Sequence, residues 1–177
     1  MRIIKIIAII ILVIVAIPLI IALFVKKEYA VEREITINRP NQDVFNYVKH
    51  LKNQDNYSKW VMTDPNMKKK FTGIDGNVGF VYAWDGNKEA GKGEQEIKNI
   101  TEGERVDIEI RFAEPFEGIA TAPIITQVVS QNQTKVKWAL KGKSAYPMNF
   151  MNLFMDGMLG KDLETSLITL KGILERS

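Results

Sequence analysis

The sequence predicts an α+β fold, a curved antiparallel sheet around one long C-terminal helix, plus one N-terminal transmembrane helix. Three observations predict it. Residues 6–25 run for twenty positions without a charged side chain. From Val31 to Lys141 apolar and polar residues alternate with period 2 over several short stretches, the mark of half-buried strands. From Pro147 to Glu175 the apolar spacing changes to three and four, the mark of an amphipathic helix.

The uncharged run is long enough, at about 1.5 Å per residue, to cross the roughly 30 Å of a bilayer core. Arg2 and Lys5 precede it and Lys26 and Lys27 follow, placed to reach the two headgroup layers. Pro18 is tolerated inside such a helix. The run exceeds the usual apolar core of a secretory signal, and Ala22-Leu23-Phe24-Val25 offers no A-x-A cleavage pattern. It therefore reads as an uncleaved single-pass anchor over residues 3–25. The flanking charges nearly balance, so the side of the membrane that holds the domain is left undetermined, with a lean to export.

Charge supports the same division. The whole chain carries +3, yet its first 27 residues hold four basic side chains and no acidic ones. The remaining 150 are left with a net of −1. The basicity is a flank of the membrane segment, and no electrostatic footprint for a nucleic acid remains. The absence of Cys excludes disulfides, a thiol nucleophile and Cys-based metal sites.

In the domain, residues 29–176, Val31, Ile35 and Ile37 alternate with Glu32, Glu34 and Thr36 up to Asn38-Arg39-Pro40. Pro40 suits the start of a short helix that presents Val44, Phe45 and Val48 on one face. Residues 53–65 read as a loop or broken helical turn carrying Tyr57 and Trp60. Strands follow at Phe80–Trp84, Gly91–Ile100, Val106–Phe112, Ile119–Ser130 (interrupted by Pro123) and Lys135–Lys141, separated by turns such as Asp85-Gly86-Asn87 and Asn132-Gln133. The closing helix carries Met151, Phe154, Met155, Met158, Leu159, Leu163, Leu167 and Leu170. A sheet wrapped around that helix buries both apolar faces.

Several stretches in this order resemble the START-like superfamily, also called the helix-grip or Bet v 1-like fold, and within it the polyketide cyclase/dehydrase branch. They are Ile35-Thr36-Ile37-Asn38-Arg39-Pro40 with Val44-Phe45, Trp60 before Asp64-Pro65, the turn Gly73–Gly79, Tyr82-x-Trp84 with Gly91-x-Gly93, and the long terminal helix. The resemblance implies a hydrophobic cavity between sheet and helix, used for lipids, sterols, polyketides or other apolar ligands. The expected function is membrane-anchored binding of a hydrophobic or amphiphilic, lipid-like small molecule. The alternative is a cyclase/dehydratase-type or hydrolytic enzyme using the same cavity.

Candidate lining residues are Trp60, Tyr82, Trp84, Phe112 and Trp138 with Met151, Phe154, Met155 and Met158; methionine suits irregular apolar sites. Arg33 falls on the apolar side of its strand. There it could grip an anionic headgroup by a bidentate contact, or reach solvent or headgroups from a frayed strand start. The glycines at 73, 76 and 79 read as a hairpin turn, since no helix begins there to hold a phosphate. His50, the only imidazole, reads as a surface helix cap. Glu94, Glu96, Asp107 and Glu109 alternate with cations and read as cross-strand ion pairs. No cofactor, no metal and no nucleic acid is expected, and no catalytic residue can be assigned.

Overall fold

A computed structural model describes residues 2–176, apart from the side chains of Arg2 and Ala8. Arg2, one of the flanking cations, thus has its side chain outside the described residues. The chain opens with α1 (Arg2–Ala22), which contains Pro18. Its described side chains are exposed from Ile3 to Ile21 except for half-buried Ala16 and Pro18, and Ala22 is buried. The stretch Ile3–Ala22 has the length and composition to cross a membrane.

Strand β1 (Glu28–Ile37) follows, then α2 (Asn41–Val48), a 3-10 turn (Leu51–Asn53), and two four-residue helices, α3 (Gln54–Tyr57) and α4 (Lys59–Met62). Seven more strands come next: β2 (Lys68–Thr72), β3 (Val81–Asp85), β4 (Lys92–Thr101), β5 (Arg105–Glu114), β6 (Gly118–Thr121), β7 (Ile124–Ser130) and β8 (Gln133–Lys143). A 3-10 turn (Met148–Met151) leads into α5 (Asn152–Leu174). The antiparallel sheet is ordered β1-β8-β6-β5-β4-β3-β2, and β7 pairs with both β5 and β8.

Each element follows from local chemistry. In β1, Val31 and Ile37 are buried while Glu28, Glu32 and Glu34 face water. Glu34 pairs with Lys135 and Lys137 across the β1–β8 ladder. In α2, Val44, Phe45 and Val48 are fully buried. In α5, Leu163, Leu167, Leu170 and Leu174 recur at helical spacing and close the core against β1. Ser166, buried in α5, accepts a hydrogen bond from the Lys59 amide and so seats α4 on the helix.

Three expectations are corrected. The single strand expected over Ile119–Ser130 is two strands, because Pro123 has no amide to continue the ladder. Residues Lys68–Thr72 form a strand with every side chain exposed, so no alternation marks it. Finally, the apolar residues of α5 do not share one face. At about 100° per residue, Phe154 and Met158 fall on the side opposite Leu163 and Leu167; both are exposed, as is Met151 in the preceding 3-10 turn.

The remaining motifs fall on turns and surface pairs. Gly73, Gly76 and Gly79 all have positive φ in the β2–β3 hairpin connection. His50 donates from Nδ1 to the Asn46 carbonyl at 2.7 Å, at the end of α2. Arg111 bridges Glu94, Glu96 and Glu109, and Arg105 pairs with Asp107. The bonds to Glu94 and Glu96 tie β4 to β5 on the outer face of the sheet, whereas the Asp107 and Glu109 pairs, expected across strands, lie within β5.

Candidate functional site

Between the inner face of the sheet and α5 lies a cavity of about 160 Å³. Strand parity builds most of its wall. Tyr82 and Trp84 point inward from β3, Gln95 from β4, Ile110 and Phe112 from β5, and Trp138 and Leu140 from β8. Helices close the other side with Gln54, Trp60, Leu159 and Leu163. Five of the sequence candidates, Trp60, Tyr82, Trp84, Phe112 and Trp138, therefore meet around one space.

The aromatic rings brace each other edge to face. Trp138 lies 5.8 Å from Trp60 and 5.7 Å from Tyr57, and Trp84 lies 6.2 Å from Phe112. Trp84 is seated on Gly93, its partner across the β3–β4 ladder. A Cβ at Gly93 would stand 2.8 Å from the indole and 2.5 Å from the Arg111 carbonyl oxygen. The Gly91-x-Gly93 pair thus has a packing reason at its second position.

The cavity is apolar with a few placed polar groups. Gln95 donates to the Gln54 side-chain oxygen at 2.9 Å, a fully buried pair. Gln54 Nε2 and Trp138 Nε1, both on lining residues, are buried with no hydrogen-bond partner. The Tyr82 hydroxyl donates to Asp55 at 2.6 Å, and Lys69 holds the same carboxylate at 2.8 Å. Burial, then the bond to Asp55, pushes the Tyr82 phenol above its ordinary pKa. Tyr82 is the only titratable residue lining the cavity among the described residues.

The other candidates lie elsewhere. Met155 packs against the core beside the cavity without lining it. Phe154 and Met158 are exposed on the outer side of α5, and Met151 is exposed in the preceding 3-10 turn. Arg33 does make the bidentate contact its position suggests, but with a protein carboxylate. Its guanidinium donates to both Asp156 oxygens at 2.9 and 3.1 Å and to the Asp156 carbonyl. That bond holds the Asp156 carboxyl below its ordinary pKa. Gly160 makes the space, since a Cβ there would stand 2.1 Å from Arg33 Nη2.

Sequence reasoning missed Gln54, Gln95, Leu140, Leu159 and Leu163 as lining residues. Gln95 was within reach: the outward parity of Glu94 and Glu96 in β4 turns it inward. Gln54 lies in a four-residue helix, too short to carry a period.

No protein-family profile and no curated protein sequence matches the chain. Solved structures do. Norcoclaurine synthase from Thalictrum flavum, determined with dopamine and hydroxybenzaldehyde, superposes with a TM-score of 0.65 at 9% identity, over 88% of this chain and 91% of that one. The Zhui aromatase/cyclase from Streptomyces sp. R1128 does so with a TM-score of 0.62 at 10% identity, over 84% and 94%. Ara h 8.0201 gives 0.57 at 13% identity, over 85% and 99%.

The chain has the Bet v 1-like helix-grip fold.

In helix-grip terms, the long helix α5 is the part gripped and the curved sheet is the hand. The cavity lies between them. Helix α1 is an addition outside the grip, apolar and exposed.

Proposed function

We propose that the helix-grip domain, residues 29–176, binds a small apolar molecule carrying a hydrogen-bond acceptor, and that α1 anchors it to a membrane. One observation carries the ligand chemistry: Trp138 lines an apolar cavity, and its indole N–H, a group that can only donate, is buried without a partner. A ligand oxygen there would relieve the cost of a buried unpaired donor, about 1–3 kcal/mol. Gln54, also a lining residue, has a second unpartnered donor in Nε2. The volume supports a ligand with one ring or a short chain, being close to the engineered cavity of about 150 Å³ that admits benzene. A longer amphiphile would place one segment inside.

The lining favours binding over catalysis. A cyclase, dehydratase or hydrolase moves protons with positioned acids and bases. Here the one titratable lining group is Tyr82, whose hydroxyl is committed to Asp55 and whose phenol is held protonated. For the anchor, the support is an exposed apolar helix of bilayer length followed by Lys26 and Lys27. Ala22, the last residue of that helix, is buried against the domain.

Acetophenone and α-methylstyrene test the ligand chemistry, since they share a shape and differ by an oxygen in place of a methylene. Both are expected to shift the Trp138 and Trp84 indole resonances of the full chain. Acetophenone should bind about five-fold tighter, one net hydrogen bond, and Trp138→Phe should abolish that preference. Equal binding of the two ligands, or no shift with either, overturns the reading.

A further inference from the structure

The join between α1 and the domain is not a free linker. Asn149 donates from Nδ2 to the Ala22 carbonyl at 2.6 Å and to the Val25 carbonyl at 2.8 Å. Asn152 donates to the carbonyls of Lys26 and Lys27, both at 2.9 Å, and Ser144 holds the Asn152 side-chain oxygen. Two side chains thus satisfy backbone acceptors along the whole exit from the helix. The 3-10 turn and the start of α5 are fixed at the level where α1 ends.

The segment that leads from this joint into α5 is apolar and almost uncharged. Between Ser144 and Gly160 there is one charged side chain, Asp156, and Arg33 holds it. Met148 and Met151 are exposed there, and Phe154 and Met158 are exposed over the first two turns of α5. The strand register brings a second apolar corner to the same end. Glu28 faces Lys143, Tyr29 faces Gly142, and Gly142 faces Ala120. Strand β6 therefore runs past the start of β1 at Ile119 and Gly118, and the β5–β6 turn with Phe116 lies beyond. Ile119 and Phe116 are exposed, Phe116 between exposed Glu114 and Glu117 and Ile119 across the ladder from Arg111. The cavity residues Phe112 and Trp84 belong to that row, since Phe112 faces both Gly118 and Gly93, and Gly93 faces Trp84.

We infer that this end of the domain rests on the bilayer, with Met148, Met151, Phe154, Met158, Phe116 and Ile119 at the boundary between headgroups and hydrocarbon. The inference rests on the anchor reading of α1. If Ile3–Ala22 spans the hydrocarbon, about 30 Å for twenty residues, the boundary falls between Ala22 and Lys26. Those are the residues that Asn149 and Asn152 grip. The occupant of the patch is then lipid, and the patch behaves as an interfacial apolar face. The Trp84–Phe112 row of the cavity lies at the same end of the sheet by register.

The chain has no cysteine, so single labels can be introduced cleanly. Full-length protein carrying Leu12→Cys, Phe116→Cys, Phe154→Cys or Asn132→Cys, each with an environment-sensitive fluorophore, is placed in phosphatidylcholine vesicles. Quenching is compared between nitroxide-bearing lipid and aqueous iodide. The expected result is blue-shifted, lipid-quenched emission at 12, 116 and 154, and iodide-quenched emission at 132, on the turn at the far end of the sheet. Lipid quenching at 12 with iodide quenching at 116 and 154 overturns the docking and leaves the anchor standing. Shielding of 116 and 154 from both quenchers means a protein partner and also overturns it. Iodide quenching at 12 overturns both readings together.

Discussion

Gly93 shows how one missing side chain shapes the cavity. The Trp84 indole occupies the space over it, and the Arg111 carbonyl closes the other side. Because one of those neighbours is backbone, Gly93→Ala has no cheap relaxation. It is expected to cost about 1–3 kcal/mol by overpacking, read as a lower urea midpoint, and to weaken acetophenone binding by displacing Trp84. An unchanged midpoint would mean that the indole moves freely. Gly160 is the milder case, since the atoms in the way belong to the end of the Arg33 side chain. The inward direction of Arg33 was legible from strand alternation. Its partner was not, because Asp156 lies 123 residues away and nothing local in the sequence pairs them. The five aromatic cavity residues were legible for a simpler reason, since four of them occupy inward positions of strands with clean alternation.

At the scale of elements, legibility follows burial contrast. Strand β5 has one wet and one buried face and reads correctly from Val106 to Phe112. Strand β2 has no buried residue and leaves no pattern. In α5 the second half reads as core, whereas the first half holds two apolar sides, only one of which meets the sheet. Its other side, with Phe154 and Met158, stays exposed. The Asn149 and Asn152 contacts make a prediction at this level. The double variant Asn149→Ala, Asn152→Ala removes the donors that hold the carbonyls of Ala22, Val25, Lys26 and Lys27. Trypsin is expected to cut after Lys26 and Lys27 many times faster, while the unfolding free energy of the domain core, read from urea denaturation, stays within about 1–2 kcal/mol of the parent. Equal cutting rates would show that backbone contacts alone hold the joint.

For the molecule as a whole, the order of elements and the change from period 2 to period 3.6 were enough to read a curved sheet around a long C-terminal helix, and the motif resemblance made that helix-grip, although sequence identity to the solved structures stays at 13% or below. Burial in that core sets its response to alkali. Tyr57 and Tyr82 are both held above the ordinary phenol pKa of 10.0, mainly by burial. The unfolded chain releases these protons near pH 10 while the folded chain keeps them, so their stabilisation is complete below pH 10 and falls as pH rises above it. The urea midpoint should therefore drop between pH 10 and 11, and Tyr57→Phe should make the drop shallower. Equal slopes would sink this account. The side-chain clamp on residues 22–27 has a mechanical consequence. With no slack at the neck, a spanning α1 that leans to match a thinner bilayer must lean the whole domain with it. Under the proposed docking, the angle between the domain and the lipid surface would then become a gauge of bilayer thickness.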